Sequence, residues 1–221
     1  MNPSATAPLV SSHYDEAYFG WQRELADFGA EANLWMFRDF VRPTDTVVDF
    51  GCGGGFLLRR LDCRKRIGVE VNPAAVRCAR ASGLEVVGDL GDLAPEIADV
   101  VISSHALEHT FDPYHKLRQA QAVLRQGGLA IFVVPCERYD RPYVPDNMDQ
   151  HLYTWSPLNI GNLFANAGFS VLSCERIAHR FPPAAERIQR CVGWAAFHAI
   201  CRLNARLRPG ITQVRTVARK A

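Results

Sequence analysis

The chain contains no long apolar run. Nowhere in its 221 residues does an uninterrupted apolar stretch reach the roughly 20 residues that a membrane-spanning helix requires. Met1 to Pro8 hold no basic region followed by an apolar core, so a secretory leader is not expected and a soluble, cytoplasmic chain is. The seven cysteines are odd in number and include no C-x-x-C pair, which argues against a disulfide framework and against a cysteine zinc site. Acidic residues end at Glu186. Beyond it come eight bases (Arg187, Arg190, Arg202, Arg206, Arg208, Arg215, Arg219 and Lys220) and no Asp or Glu. A solvated basic face is the first reading of that end, with an anionic substrate or membrane surface as alternatives. No RNA- or DNA-binding module accompanies it, so no nucleic-acid partner is expected. Internal repeats are also lacking.

What is present is a chain with 48% hydrophobic residues, enough for one large core without a second domain. Its most informative stretch runs from Val47 to Leu58. An apolar, strand-like segment meets Asp49, crosses Gly51, Cys52, Gly53, Gly54 and Gly55, and is expected to continue as a helix. Glycines there supply positive backbone dihedrals and clear side chains from a place where a ligand approaches the main chain. That is the pattern of a nucleotide-cofactor loop. Dinucleotide enzymes use G-x-G-x-x-G with an acid about 20 residues later, and Glu70 suits that spacing. Counting from Gly51, however, the third glycine of that fingerprint would fall on Phe56, which disfavours a nucleotide-dependent oxidoreductase.

Asp49, Gly51, Gly53 and Gly55 resemble the first motif of class I S-adenosylmethionine (SAM) dependent methyltransferases, and further landmarks follow in order. The stretch 66–72 is similar to the second strand, ending at Glu70, which the resemblance makes the ribose ligand, with Val71 and Asn72 beside it. In 84–90 a third strand leads to Asp89 and Leu90, implied to bond the adenine amino group and pack on the ring. The fourth strand and its following helix start resemble 98–109, with Ser104 in the cofactor set, and 124–135 resembles the turn and fifth strand. Each acid alone reads as a solvated strand end; together they sit where open α/β sheets bind ligands, outside the carboxyl ends of the strands. The implied cofactor set is Asp49, Gly51, Cys52, Gly53, Gly55, Glu70, Val71, Asn72, Asp89, Leu90 and Ser104, and the implied cofactor is SAM.

The fold expected is α/β: a Rossmann-like, doubly wound, seven-stranded, mostly parallel sheet with an antiparallel last strand, N-terminal helices and a helical insertion before the last strand. Residues 1–12 read as a disordered lead and 13–221 as a single domain. Within it, 13–41 carries apolar residues at helical spacing, with Tyr14, Tyr18, Phe19 and Trp21 as a lid over the cofactor or as core. A helix is expected over 156–167, with Pro157 in its first turn and Gly168 closing it, then strands over 169–177 and 211–217. The insertion, 178–210, departs from the short turn usual in the family. Its centre, Cys191 to Cys201, is apolar on nearly every face. Burial against the domain or in a homodimer contact is expected there, with peripheral membrane contact as the minor reading.

Methyl transfer asks the protein to align a nucleophile with the sulfonium methyl and to exclude water. A hydroxyl nucleophile also needs a base. His105, His109 and His151 are the candidates, with Glu108 nearby. His105, Glu108 and His109 also spell H-x-x-E-H, an inverted zinc-protease motif, which the preceding strand makes the poorer explanation. In quinone-biosynthesis O-methyltransferases the equivalent stretch resembles E-x-x-E-H and can hold a divalent cation. With His105 in place of the first acid, no metal is the expectation here. Tyr153 and Trp155 precede the 156–167 helix as ring-stacking or core residues. The reading is methyl transfer to a small-molecule acceptor, at a hydroxyl of a sugar or glycan precursor or of a quinone-like phenol. N- or C-methylation and a non-catalytic SAM- or partner-binding role are the alternatives.

Overall fold

The apolar run around Asp49 becomes the central strand of a seven-stranded sheet. The computed structural model describes residues 27–138, 140, 142–145, 147, 149–208, 210 and 212–221. The strands are β1 (Thr46–Phe50), β2 (Lys65–Val69), β3 (Glu85–Val87), β4 (Ala98–Ser104), β5 (Leu124–Cys136), β6 (Phe169–Ile177) and β7 (Thr212–Lys220). Their spatial order is β3-β2-β1-β4-β5-β7-β6. All neighbours are parallel except β7, which runs antiparallel to both β5 and β6.

Alternate residues of the inner strands serve two cores, one on each face. Val48, Phe50, Val101, Phe132 and Val134 face one; Val47, Val100, Ile102, Ile131 and Val133 face the other. Three helices start by one device, a polar N-cap followed by proline, which lacks the N–H that would otherwise be unsatisfied. Asn72 caps α1 (Pro73–Ala81), Asp112 caps α2 (Pro113–Val123) and Ser156 caps α3 (Pro157–Asn166). Asn159 completes a capping box with Ser156. Gly168, at φ +93°, ends the third helix where the sequence places its stop.

The links differ from expectation in several places. No α-helix follows the glycine loop; the chain makes turns and a 3-10 turn at Leu58–Arg60. Glycines at 53, 54 and 55 supply no helix propensity there. The link from β3 to β4 is a 3-10 turn at Leu90–Asp92 and that after β4 another at Leu107–His109. The last strand runs through Lys220 rather than ending at Val217, and Ile211 lies outside the described residues. The lead over 1–12 and the lid residues Tyr14, Tyr18, Phe19 and Trp21 also lie outside them. A helical segment over 27–33 is followed by 3-10 turns at Leu34–Met36 and Arg38–Phe40. Met36 and Phe37 are buried in the second core.

The insertion forms α4 (Ala185–Leu207), broken at Gly193, whose φ of 75° and ψ of 170° are not helical. Its apolar centre packs on the domain along one side: between Cys191 and Cys201 the buried residues are Phe197 and Cys201. Those two pack with Ala32, and Phe28, Ile188 and Trp194 close around them. Alanines, which fit either side of a helix, make the run look apolar throughout. Among the described residues no helix is long and apolar enough to cross a membrane.

Candidate functional site

Strand order reverses between β1 and β4, and a ligand crevice opens at such a switch point. The loops leaving these strands touch. Gly51, at φ +76°, faces Ala106, and a Cβ on Gly51 would fall 2.3 Å from the Ala106 Cβ. Gly55, at φ +77°, faces Leu84, whose Cδ1 would lie 2.2 Å from an added Cβ. Gly53, at φ +53°, has nothing within 4 Å of that position. Three motif glycines thus have separate reasons: the first and third admit protein neighbours, and Gly53 borders open space.

Glu70, just beyond β2, ties this loop down. Its Oε2 accepts from Gly53 N at 2.8 Å, and its Oε1 accepts from the N–H groups of Val71 and Asn72, each at 2.8 Å. Val71 is exposed beside it. Asn72 is buried and serves the helix: its Oδ1 accepts from Ala74 N at 2.8 Å and Ala75 N at 3.3 Å. Asp49 is buried, and its Oδ1 has no hydrogen-bond partner among the described residues. Burial, with the nearby Glu70 charge second, pushes its carboxyl up to about 7. Burial likewise raises the Cys52 thiol, with Asp49 and Glu70 adding to it, which makes Cys52 a packing residue rather than a nucleophile.

Asp89 sits beyond β3 and accepts from Gly91 N and Gln119 Nε2, each at 2.8 Å, and from Lys116 Nζ. Burial works against its charge, but the bonds from Lys116, Gly91 and Gln119 outweigh it and hold the carboxyl below its usual range. Leu90 is fully buried in the first core, and Ser104 is half-buried at the end of β4. An open face at Gly53, a carboxylate at the strand end and an orphaned buried oxygen on Asp49 suit a cationic, ribose-bearing cofactor.

The second half of the site is built on Glu108. Its carboxylate is fully buried, and neither oxygen has a hydrogen-bond partner among the described residues. Imidazoles surround it. His105 Nδ1 stands 3.3 Å and His151 Nε2 3.9 Å from Oε1, while the His109 ring meets that of His151 edge to face, with centroids 5.0 Å apart. His105 takes φ +54° and donates its backbone N–H to Val133 O at 2.9 Å. Burial disfavours a charged His105, but the Glu108 carboxylate outweighs it and the imidazole is raised. For His109 burial wins over the same carboxylate, and it is lowered. Leu152 N bonds Glu108 O at 3.0 Å, which brings His151 to the turn after β4.

The structure thus gathers all three candidate histidines. Among the described residues, Glu108, His109 and His151 each offer a ligand atom within 4.8 Å of the others. Sequence reading missed Glu137, whose Oε1 lies 3.5 Å from His151 Nδ1. An acid immediately beyond β5, as Glu70 is beyond β2, was the available signal. Trp155 is buried, and its ring stacks on Tyr153 at 5.5 Å. Tyr153 donates its hydroxyl to Phe111 O at 3.1 Å, so Trp155 anchors the core and Tyr153 stands at the rim.

A family model described as a methyltransferase domain matches residues 15–174. The chain belongs to this methyltransferase family. SAM is accordingly its cofactor, and the family resemblance read from 49–135 is upheld. A ubiquinone biosynthesis O-methyltransferase from Xanthomonas campestris pv. campestris (strain B100) is 28% identical over 163 residues, which cover 58% of this chain and 64% of that relative. Among solved structures, geranyl diphosphate C-methyltransferase from Streptomyces coelicolor A3(2), in complex with Mg2+, geranyl diphosphate and S-adenosyl-L-homocysteine, superposes with TM-score 0.62 at 16% identity, covering 100% of this chain and 86% of that one. The [4+2]-cyclase SpnF superposes with TM-score 0.60 at 21% identity, covering 90% and 83%. These neighbours share the fold of this methyltransferase-family chain; their differing chemistries leave the acceptor to the site itself.

Proposed function

We propose that the chain transfers the SAM methyl group to a hydroxyl oxygen of a small-molecule acceptor, and that a phenol is the acceptor class. The observation that carries this is the buried carboxylate of Glu108, 3.3 Å from His105 Nδ1 and close to the imidazoles of His109 and His151. A hydroxyl must lose its proton as the methyl arrives, and a neutral imidazole close to neutral pH is the suited base. His109, whose imidazole burial keeps neutral, takes that proton, and Glu108 stabilises the imidazolium formed. When bound, SAM supplies the electrophilic methyl. Glu70 and the Gly53 face hold it, and Asp49 beneath the loop offers a carboxylate to its positive charge.

Sugars stood ahead of phenols on sequence alone. The exposed side chains of Phe111, Leu152 and Tyr153, tied to the turn after β4 by the Tyr153–Phe111 and Leu152–Glu108 bonds, favour a ring with apolar substituents, and the named activity of the ubiquinone relatives points the same way. Transfer of labelled methyl from SAM to a panel of catechols, sugars and amines tests this. Transfer to catechols that falls when His109 becomes Gln, with SAM affinity retained, is the expected result. Transfer to amines or sugars alone would refute the phenol assignment.

A second reading rests on the same carboxylate. Glu108, His109 and His151 each offer one ligand atom within 4.8 Å of the others, and two imidazoles with a carboxylate form a donor set for a divalent transition metal. The metal would hold and acidify the acceptor oxygen. Titration with Mn2+ and Zn2+ by calorimetry, with Glu108→Gln as control, distinguishes the readings: saturable binding lost in the variant supports the metal, and no binding supports the imidazole base.

A further inference from the structure

We infer that the outer face of α4 is a docking surface for an anionic lipid membrane. The inner face is firmly attached to the domain. Phe197 and Cys201 are buried, Trp194 stacks on Phe28 at 5.8 Å, Asn204 Nδ2 donates to the carbonyls of Arg180 and Phe181 at 3.1 and 3.2 Å, and Arg180 N donates to Cys201 O at 3.2 Å. The opposite face is left to its surroundings. Ala196, Ala199, Leu203 and Leu207 form an exposed stripe at helical spacing, with Leu203 55% and Leu207 72% exposed. Arg202 and Arg206 run alongside, also exposed.

A helix face turned to water ordinarily mixes charges of both signs, with opposite pairs one turn apart. This one carries apolar residues and arginines, and no acid follows Glu186 in the chain. Among the described residues, no carboxylate forms an ion pair with Arg202 or Arg206. An apolar stripe beside arginines matches an interfacial helix, in which leucines enter the acyl boundary while guanidinium groups stay with phosphate. The partner is chosen by charge. A second copy related by a twofold axis would set Arg202 and Arg206 against themselves, and a nucleic-acid backbone would leave the leucines without apolar contact.

Position gives the surface a use. Strand β7 runs antiparallel to both β5 and β6, so β6 ends at the same sheet edge as β1, β4 and β5. The insertion that follows β6 therefore lies at the edge that carries the cofactor loop and the imidazoles. Docking through α4 would turn that edge toward the bilayer.

The experiment is co-sedimentation of the full 221-residue chain with vesicles of phosphatidylcholine alone and of phosphatidylcholine mixed with phosphatidylglycerol, at low and high salt. Binding to the anionic vesicles, weakened by salt, is expected. Arg202→Gln with Arg206→Gln should weaken it by roughly 5-fold per arginine, and Leu203→Ser with Leu207→Ser should weaken it with the salt dependence retained. Far-UV circular dichroism and SAM titration should be unchanged in both double variants, since these side chains are exposed and outside the site. Equal binding to both vesicle types, or no binding by folded, SAM-competent protein, would overturn the inference. So would a dimer or a retained RNA that the same substitutions abolish in the absence of vesicles.

Discussion

The imidazoles of His109 and His151 meet edge to face, 5.0 Å between centroids, beside the buried carboxylate of Glu108. One ring comes from the turn after β4 and the other from the loop after β5. Their meeting makes Glu108 the hub of the proposed chemistry. Replacing Glu108 by Gln keeps its shape and removes its charge. SAM affinity measured by calorimetry should be unchanged, and turnover on the acceptor should fall on the order of 100-fold, the scale of a lost acid–base contribution. Full turnover in the variant would remove Glu108 from the mechanism.

The motif glycines should separate by effect. Gly53→Val projects into open space, so it should abolish SAM binding while costing about 1–2 kcal/mol of stability through its left-handed backbone. Gly55→Ala drives a methyl to 2.2 Å from Leu84 Cδ1 and should destabilise by about 1–3 kcal/mol through overpacking. Urea unfolding beside SAM titration reads both. Equal loss of binding and stability in the two variants would contradict the division.

Asp49 links stability to pH. Its carboxyl titrates near 3.8 when unfolded and about 7 when folded. The folded state therefore holds a proton that the unfolded state has released, and stability falls as pH rises across that window. Asp49→Asn should raise the stability of the ligand-free protein at pH 8, on the order of 2 kcal/mol, and change it little at pH 4. Thermal melts at the two pH values show the difference; an equal shift at both would point to packing instead.

His179 and His198 give the opposite sign. His179 Nε2 and His198 Nδ1 lie 3.0 Å apart, between Trp35 and Trp194. Burial, then His198 and Arg202, lowers His179 to about 4, and burial, with Arg202 and Arg38, lowers His198. Stability from this pair is present above the unfolded value of 6.5 and is lost as pH falls toward 4. Tryptophan fluorescence should change over that interval as α4 loosens from the 27–36 segment. His179→Phe should flatten the pH response, and a wild-type response in that variant would place the titration elsewhere.

The sequence by itself determined the frame: Asp49 and its glycines, Glu70 and Asp89 past their strands, and the N-cap–proline helix starts are local patterns, each within a few residues. Such patterns are legible because propensity, capping and alternating burial act over short range. What the tertiary structure decided is who meets whom. Sequence could not say that Gly51 and Gly55 serve Ala106 and Leu84 while Gly53 borders open space. It could not bring His151 between Glu108 and Glu137, because those contacts depend on strand order and on loops crossing between strands. Nor could it divide α4 into a buried and an exposed face, since alanine suits both and only the packing of Phe197 and Cys201 on the domain sets the rotation.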